Sequence, residues 1–129
     1  MRRSVVFLVA LALSLVACGG SDSADPTSAP TSSVSTGNAA NGIEIYATTC
    51  MVCHGQAGEG VDGLGKPWVG SEFINSHTDA EMLDFLLEGR PSDHPDNTTG
   101  VAMLPRGGNP NLTDGDLMDL IAYMRTLNP

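Results

Sequence analysis

Apolar residues recur at helical spacing in three stretches of the chain. The clearest lies near the C-terminus, where Leu117, Leu120, Ile121, Met124 and Leu127 fall at i, i+3, i+4, i+7 and i+10. Thr113 stands ahead of them as an N-cap with Asp116 three residues on, and Asp114 and Asp116 place negative charge where the helix dipole favours it. A second stretch carries Met82, Phe85 and Leu86 on one face, opened by Thr78 and Glu81 as a capping box and stopped by Gly89. A third runs from about Asn38 to Thr49, with Ile43, Tyr46 and Ala47 at helical spacing, and leads straight into Cys50. Between the helices, Gly55 to Ser71 holds six glycines and Pro67, and Pro91 to Asn111 holds four prolines and three glycines. No alternating run long enough for a strand interrupts them. The pattern predicts an all-α domain of three main helices joined by long loops. Such loops are normally ordered by something they wrap.

The beginning of the chain follows different rules. Met1-Arg2-Arg3 is basic and Ser4 to Ala17 is almost wholly apolar. That run is shorter than the roughly 20 residues a bilayer span requires, and it has the layout of an export signal. It closes on Leu15-Val16-Ala17-Cys18, which resembles the bacterial lipoprotein processing box. The resemblance implies cleavage before Cys18, lipid on its sulfur and an acylated mature N-terminus. From Gly19 to Gly37 the residues are Ser, Thr, Asp, Pro, Ala and Gly, with Val34 the one large apolar side chain. A segment of this kind cannot bury enough surface to offset its ordering entropy, so it reads as a tether spanning about 25 Å on average. The expected organisation is a leader over 1–17, a lipidated N-terminus and tether over 18–37, and a folded domain over 38–129. The domain would lie on the exported, periplasmic side of a bacterial membrane, anchored through Cys18.

Charge narrows the partners. Six basic residues against fifteen acidic ones give −9, and losing Arg2 and Arg3 with the leader makes it −11. Nucleic acid is excluded as a partner, because phosphate binding needs Lys and Arg. A protein partner with a basic face would be favoured electrostatically.

A folded part of about 90 residues usually needs a staple such as a disulfide, metal or cofactor. Of three cysteines, Cys18 is assigned to lipid. Cys50 and Cys53 stand too close together for a disulfide between them to constrain the unfolded chain. They belong to the pentapeptide Cys50-Met51-Val52-Cys53-His54. A thioredoxin-like dithiol would follow a strand and open a helix, whereas this pair closes a helical pattern. A zinc site would call for a second close pair, and His77 and His94 are far apart. Haem attachment explains the spacing: thiols two residues apart reach vinyl groups on adjacent pyrroles as thioethers, and the next residue falls beneath the iron. Cys50 and Cys53 are thus the expected anchors of one covalent haem c, and His54 its proximal iron ligand.

With that motif in place the chain resembles class I cytochromes c, the small single-haem electron carriers, over about Asn38 to Leu127. Gly42 and Tyr46 match the Gly and aromatic of that family's N-terminal helix, Tyr123 matches the aromatic of its C-terminal helix, and Cys-x-x-Cys-His-Gly leads into a Gly-rich loop. The resemblance implies the cytochrome c fold, with helices and loops wrapped around the haem. It also implies a methionine as second iron ligand, taken from a loop before the last helix. Met51 lies within the attachment motif, while Met82, Met118 and Met124 lie on amphipathic helices as core. Met103, in Gly100-Val-Ala-Met-Leu-Pro-Arg-Gly-Gly-Asn-Pro110, is the expected distal ligand, with His94 as runner-up. The family step is Met-Pro, where this chain has Met103-Leu104-Pro105.

The expected function is single-electron transfer by an anchored carrier or subunit of a membrane oxidoreductase complex, rather than enzymatic turnover. The Arg-Gly-Gly-Asn-Pro step looks like small cytochrome subunits of alternative complex III; oxidases and photosynthetic reaction centres are the related respiratory or photosynthetic partners. The alternative is a haem enzyme or small-molecule sensor with an open or displaceable distal site.

Overall fold

The computed structural model describes residues 36–129. The leader, Cys18 and nearly all of the tether lie outside them. The described residues carry helices α1 (Ala39–Ile45), α2 (Met51–His54), α3 (Glu72–Ser76), α4 (Asp79–Glu88) and α5 (Asp114–Thr126). Their only extended pairings are two isolated antiparallel bridges, Val61 with Gly65 and Arg90 with Met103.

The first predicted helix extends further than its pattern. A π turn over Tyr46–Cys50 joins α1 to α2, closed by the Met51 N–H on the Tyr46 carbonyl, so the helical path continues to His54. Thr48 supplies a local cause. Its hydroxyl donates to the carbonyls of Glu44 (3.0 Å) and Ile45 (3.1 Å), competing with the regular ladder. Widened turns of this kind collect at functional sites, and this one ends on Cys50.

α1 crosses α5 at a point set by Gly42. A β-carbon there would stand 2.1 Å from the Asp119 carbonyl oxygen and 2.9 Å from Tyr123 Cβ, so any side chain would drive the helices apart. Asp119 also reaches across: its carboxylate accepts from the Asn38 N–H (2.6 Å) and from Asn41 Nδ2 (3.2 Å). Behind the crossing, buried Tyr46 packs on Trp68 and Tyr123, with ring centroids 4.7 and 5.3 Å away. Its hydroxyl donates to the Gly55 carbonyl at 2.5 Å, and burial followed by the neighbouring Tyr123 pushes it up to about 12.

The stripe on α5 supplies the core. Leu117, Leu120, Ile121 and Met124 are all buried, joined by Met82 and Leu86 from α4 and Ile74 from α3. Each such burial contributes about 1.5–3 kcal/mol. Both predicted capping boxes form, Thr78 with Glu81 and Thr113 with Asp116. Arg125 fastens α5 to the shorter helices: it pairs with Asp79 at 2.8 Å, donates to the His77 carbonyl at 2.6 Å and also donates to the Ile74 carbonyl. α3, with Phe73 and Ile74, rises from a stretch whose glycines hid its pattern.

Candidate haem site

A cavity of about 530 Å³ opens between the helices and the loops. Cys50, Cys53 and His54 line it from the end of the α1–α2 path, and Met103 lines it from the loop before α5. Sequence-predicted residues 50 positions apart therefore share one chamber. Cys18 lies outside the described residues.

His54 is oriented by a main-chain contact. Its Nδ1 sits 2.8 Å from the Lys66 carbonyl oxygen. A carbonyl can only accept, so Nδ1 carries the proton and Nε2 keeps its lone pair. Orienting contacts of this kind accompany metal-ligating histidines. Burial lowers the histidine's pKa, with the Lys66 carbonyl opposing it, which favours the neutral ring a metal needs. Trp68, 4% exposed, backs the imidazole at 5.0 Å between centroids.

The two thiols are not joined to each other. Burial, then the neighbouring Cys53, pushes the Cys50 thiol up to about 12. A reactive dithiol needs the opposite shift.

Met103 is fixed through its main chain. It pairs antiparallel with Arg90, the Arg90 N–H donating to the Met103 carbonyl (2.7 Å) and the Met103 N–H to the Arg90 carbonyl (2.9 Å). Gly89, at φ 71°, makes the close approach possible, since a β-carbon there would stand 2.3 Å from the Met103 oxygen. Met82 and Met124 line the cavity too, but as core residues 1% and 2% exposed. His94 and His77 do not line it. His94 is exposed beside Asp96, whose N–H donates to its Nδ1 (3.1 Å). The His77 ring lies against Phe73 with Nδ1 on the Phe73 carbonyl (2.7 Å).

Asn97 organises the segment between Arg90 and Met103. Its Nδ2 donates to the carbonyls of Pro91 (2.9 Å) and Val101 (2.8 Å), and its Oδ1 accepts from the N–H groups of Thr99 (3.1 Å) and Gly100 (2.9 Å). Further along, Arg106 is left-handed at φ 54°, restrained by Nη1 on the Leu112 carbonyl (2.6 Å) and Nη2 on Asp114 (2.8 Å).

Sequence reasoning passed over Trp68, Phe73 and Arg90, all on the cavity wall. None belongs to a periodic run. The one available signal was the pair of breakers around Arg90, Gly89 and Pro91, which marks a chain reversal after α4.

A chamber with two thiols and an oriented imidazole on one wall, otherwise largely apolar, fits a covalently attached haem and defines a c-type haem protein. The sequence profile of the family described as Cytochrome c matches residues 39–128. A curated relative, cytochrome c-555 of Prosthecochloris aestuarii, is 32% identical over 90 residues, covering 66% of this chain and 83% of that protein. No solved structure matches at a significant level. The chain belongs to the cytochrome c family, as an all-α electron-transfer protein with covalent haem c.

Proposed function

We propose that the protein is a lipid-anchored, single-haem carrier that moves one electron at a time, with His54 and Met103 as the two iron ligands and Cys50 and Cys53 as the thioether anchors. The observation that carries the reading is that all four residues line one cavity, with Cys50, Cys53 and His54 on one wall and Met103 arriving from the loop before α5. The haem supplies a one-electron Fe(III)/Fe(II) couple.

The chain's own residues do the rest. The Nδ1–H donated to the Lys66 carbonyl holds the His54 imidazole in one tautomer and one orientation. The Met103 thioether is a soft ligand, so it favours the reduced state and raises the potential. Its main chain is fixed by the Arg90 bridge, so little of the protein has to rearrange when an electron arrives or leaves. His54 and Met103 would both hold the haem iron, and a substrate would then have to displace one of them, which favours the carrier over the enzyme or sensor reading.

Cys18 carries the lipid, the tether over 19–37 gives the domain its reach, and the domain works on the extracytoplasmic face. The electron partner is a membrane oxidoreductase, with alternative complex III the first candidate and an oxidase or photosynthetic reaction centre the others. The excess of carboxylates favours a partner surface rich in Lys and Arg.

The test is spectroscopic. The oxidised holoprotein should show the weak red charge-transfer band of an Fe(III)–methionine bond and resist cyanide. A native protein that lacks the band and binds cyanide readily would overturn the carrier reading. Metabolic labelling with radioactive palmitate should mark the wild type and leave Cys18→Ser unlabelled.

A further inference from the structure

Four cations lie among the described residues, set against a large excess of carboxylates. Two are committed to ion pairs: Arg106 with Asp114 and Arg125 with Asp79, each at 2.8 Å. Lys66 is exposed. Arg90 is different. Its side chain is only partly exposed, it lines the haem cavity, and no carboxylate among the described residues pairs with it.

The guanidinium is nevertheless held in place. It lies over the rings of Phe73 and Phe85, 4.9 Å from each centroid. Aromatic faces engage a guanidinium through its flat surface, which leaves the N–H edge available in the plane. The side chain is further anchored at its root, because the Arg90 main chain forms the bridge to Met103. A cation drawn out of water against an apolar chamber is costly without a partner.

The partner chemistry follows from the cofactor. A haem brings two propionate carboxylates into the chamber, and the guanidinium edge matches a carboxylate with two parallel hydrogen bonds. We propose that Arg90 pairs with a haem propionate and is the internal countercharge that positions that edge of the ring. The two rings, themselves packed edge to face at 5.0 Å, hold the guanidinium against their pair in advance, so attachment of the haem completes an ion pair whose cationic half is already built. The main-chain bridge to Met103 does not depend on the Arg90 side chain. The side chain's effect is therefore separable from distal ligation.

The test uses holoprotein made with 5-aminolaevulinate labelled with 13C at its carboxyl carbon, so that the haem carboxylates alone carry the label. Infrared spectra of wild type, Arg90→Gln and Arg90→Lys are compared together with midpoint potentials and the red charge-transfer band. Arg90→Gln should shift the labelled carboxylate band and lower the potential, Arg90→Lys should fall between, and all three proteins should keep the charge-transfer band. If the labelled band of Arg90→Gln coincides with that of the wild type, the pairing is wrong. Loss of the charge-transfer band in Arg90→Gln overturns it too, since the side chain would then be supporting Met103. Should Arg90→Gln accumulate no holoprotein, the same band in Arg90→Lys decides, shifted in support or coincident against. The inference rests on haem in this cavity and not on Met103 as ligand. A wild type without the charge-transfer band would sink the ligation reading and leave the carboxylate comparison intact.

Discussion

The two walls of the haem chamber are built by different means. The wall bearing Cys50, Cys53 and His54 is the end of a helical path clamped across α5, backed by buried Tyr46 and Trp68. The wall bearing Met103 is loop, held by a two-bond bridge to Arg90, the Asn97 side-chain bonds and the Arg106 clamp. Buried apolar contacts give the first wall its stability, while exposed or half-buried hydrogen bonds give the second most of its own. Regions of the second kind open at lower free energy than the global transition. The distal wall should therefore yield first, and the proximal wall should be lost only with the fold.

Substitutions on the two walls ought to separate along that line. Gly42→Val should have the largest effect. It forces a branched side chain between two backbones, costing about 3 kcal/mol or more, and both walls should be lost together, with far-UV circular dichroism and haem absorbance falling at the same denaturant concentration. Asn97→Ala should act on the distal wall alone. Removing its paired donors and acceptors costs about 1–3 kcal/mol, and the charge-transfer band should fade at a denaturant concentration where helical dichroism is unchanged.

Arg106 offers a finer comparison within the distal wall. Arg106→Ala loses the contacts to Leu112 and Asp114 and keeps the left-handed backbone, whereas Arg106→Gly loses the contacts and relieves the backbone. The left-handed penalty for a side chain is about 1–2 kcal/mol, so the glycine variant should be the more stable of the two by roughly that amount in thermal unfolding. The reverse order would mean that φ 54° carries no strain.

The smallest effect lies at the helix caps. Thr113→Ala removes the N-cap of α5 at a cost of about 1 kcal/mol. The same box has a pH signature. The Thr113 N–H, then its hydroxyl, hold the Asp116 carboxyl below its usual value, and Thr78 does the same for Glu81. A depressed carboxyl contributes stability that is fully present above the unfolded value, near pH 4, and is lost as pH falls through the folded one. Acid unfolding of Thr113→Ala should be shallower than that of the wild type over that window.

The contrast between the walls also explains what could be read from the residues alone. α4 and α5 were legible because periodic apolar faces and capping boxes are local signals, and Thr78, Gly89 and Thr113 stand where the pattern puts them. The attachment motif was legible because its chemistry demands a fixed spacing. The π turn was not, since it arises from Thr48 competing for carbonyls inside a pattern that reads as ordinary helix. Nor was the antiparallel pairing of Arg90 with Met103, which depends on a chain reversal and on Gly89 admitting a close carbonyl. Trp68 and Phe73 sit in non-periodic chain, and only the folded structure brings them to the cavity.

Three methionines line the chamber, and the proposal assigns the iron to Met103, the one held in the loop. The most direct measurement is the carbon-13 and proton NMR of the reduced holoprotein labelled at the methionine methyl groups. One methyl resonance should be shifted far upfield by the haem ring current, should persist in Met82→Leu and Met124→Leu, and should vanish in Met103→Leu. An upfield methyl that survives Met103→Leu, or that disappears with Met82 or Met124 instead, would contradict the assignment.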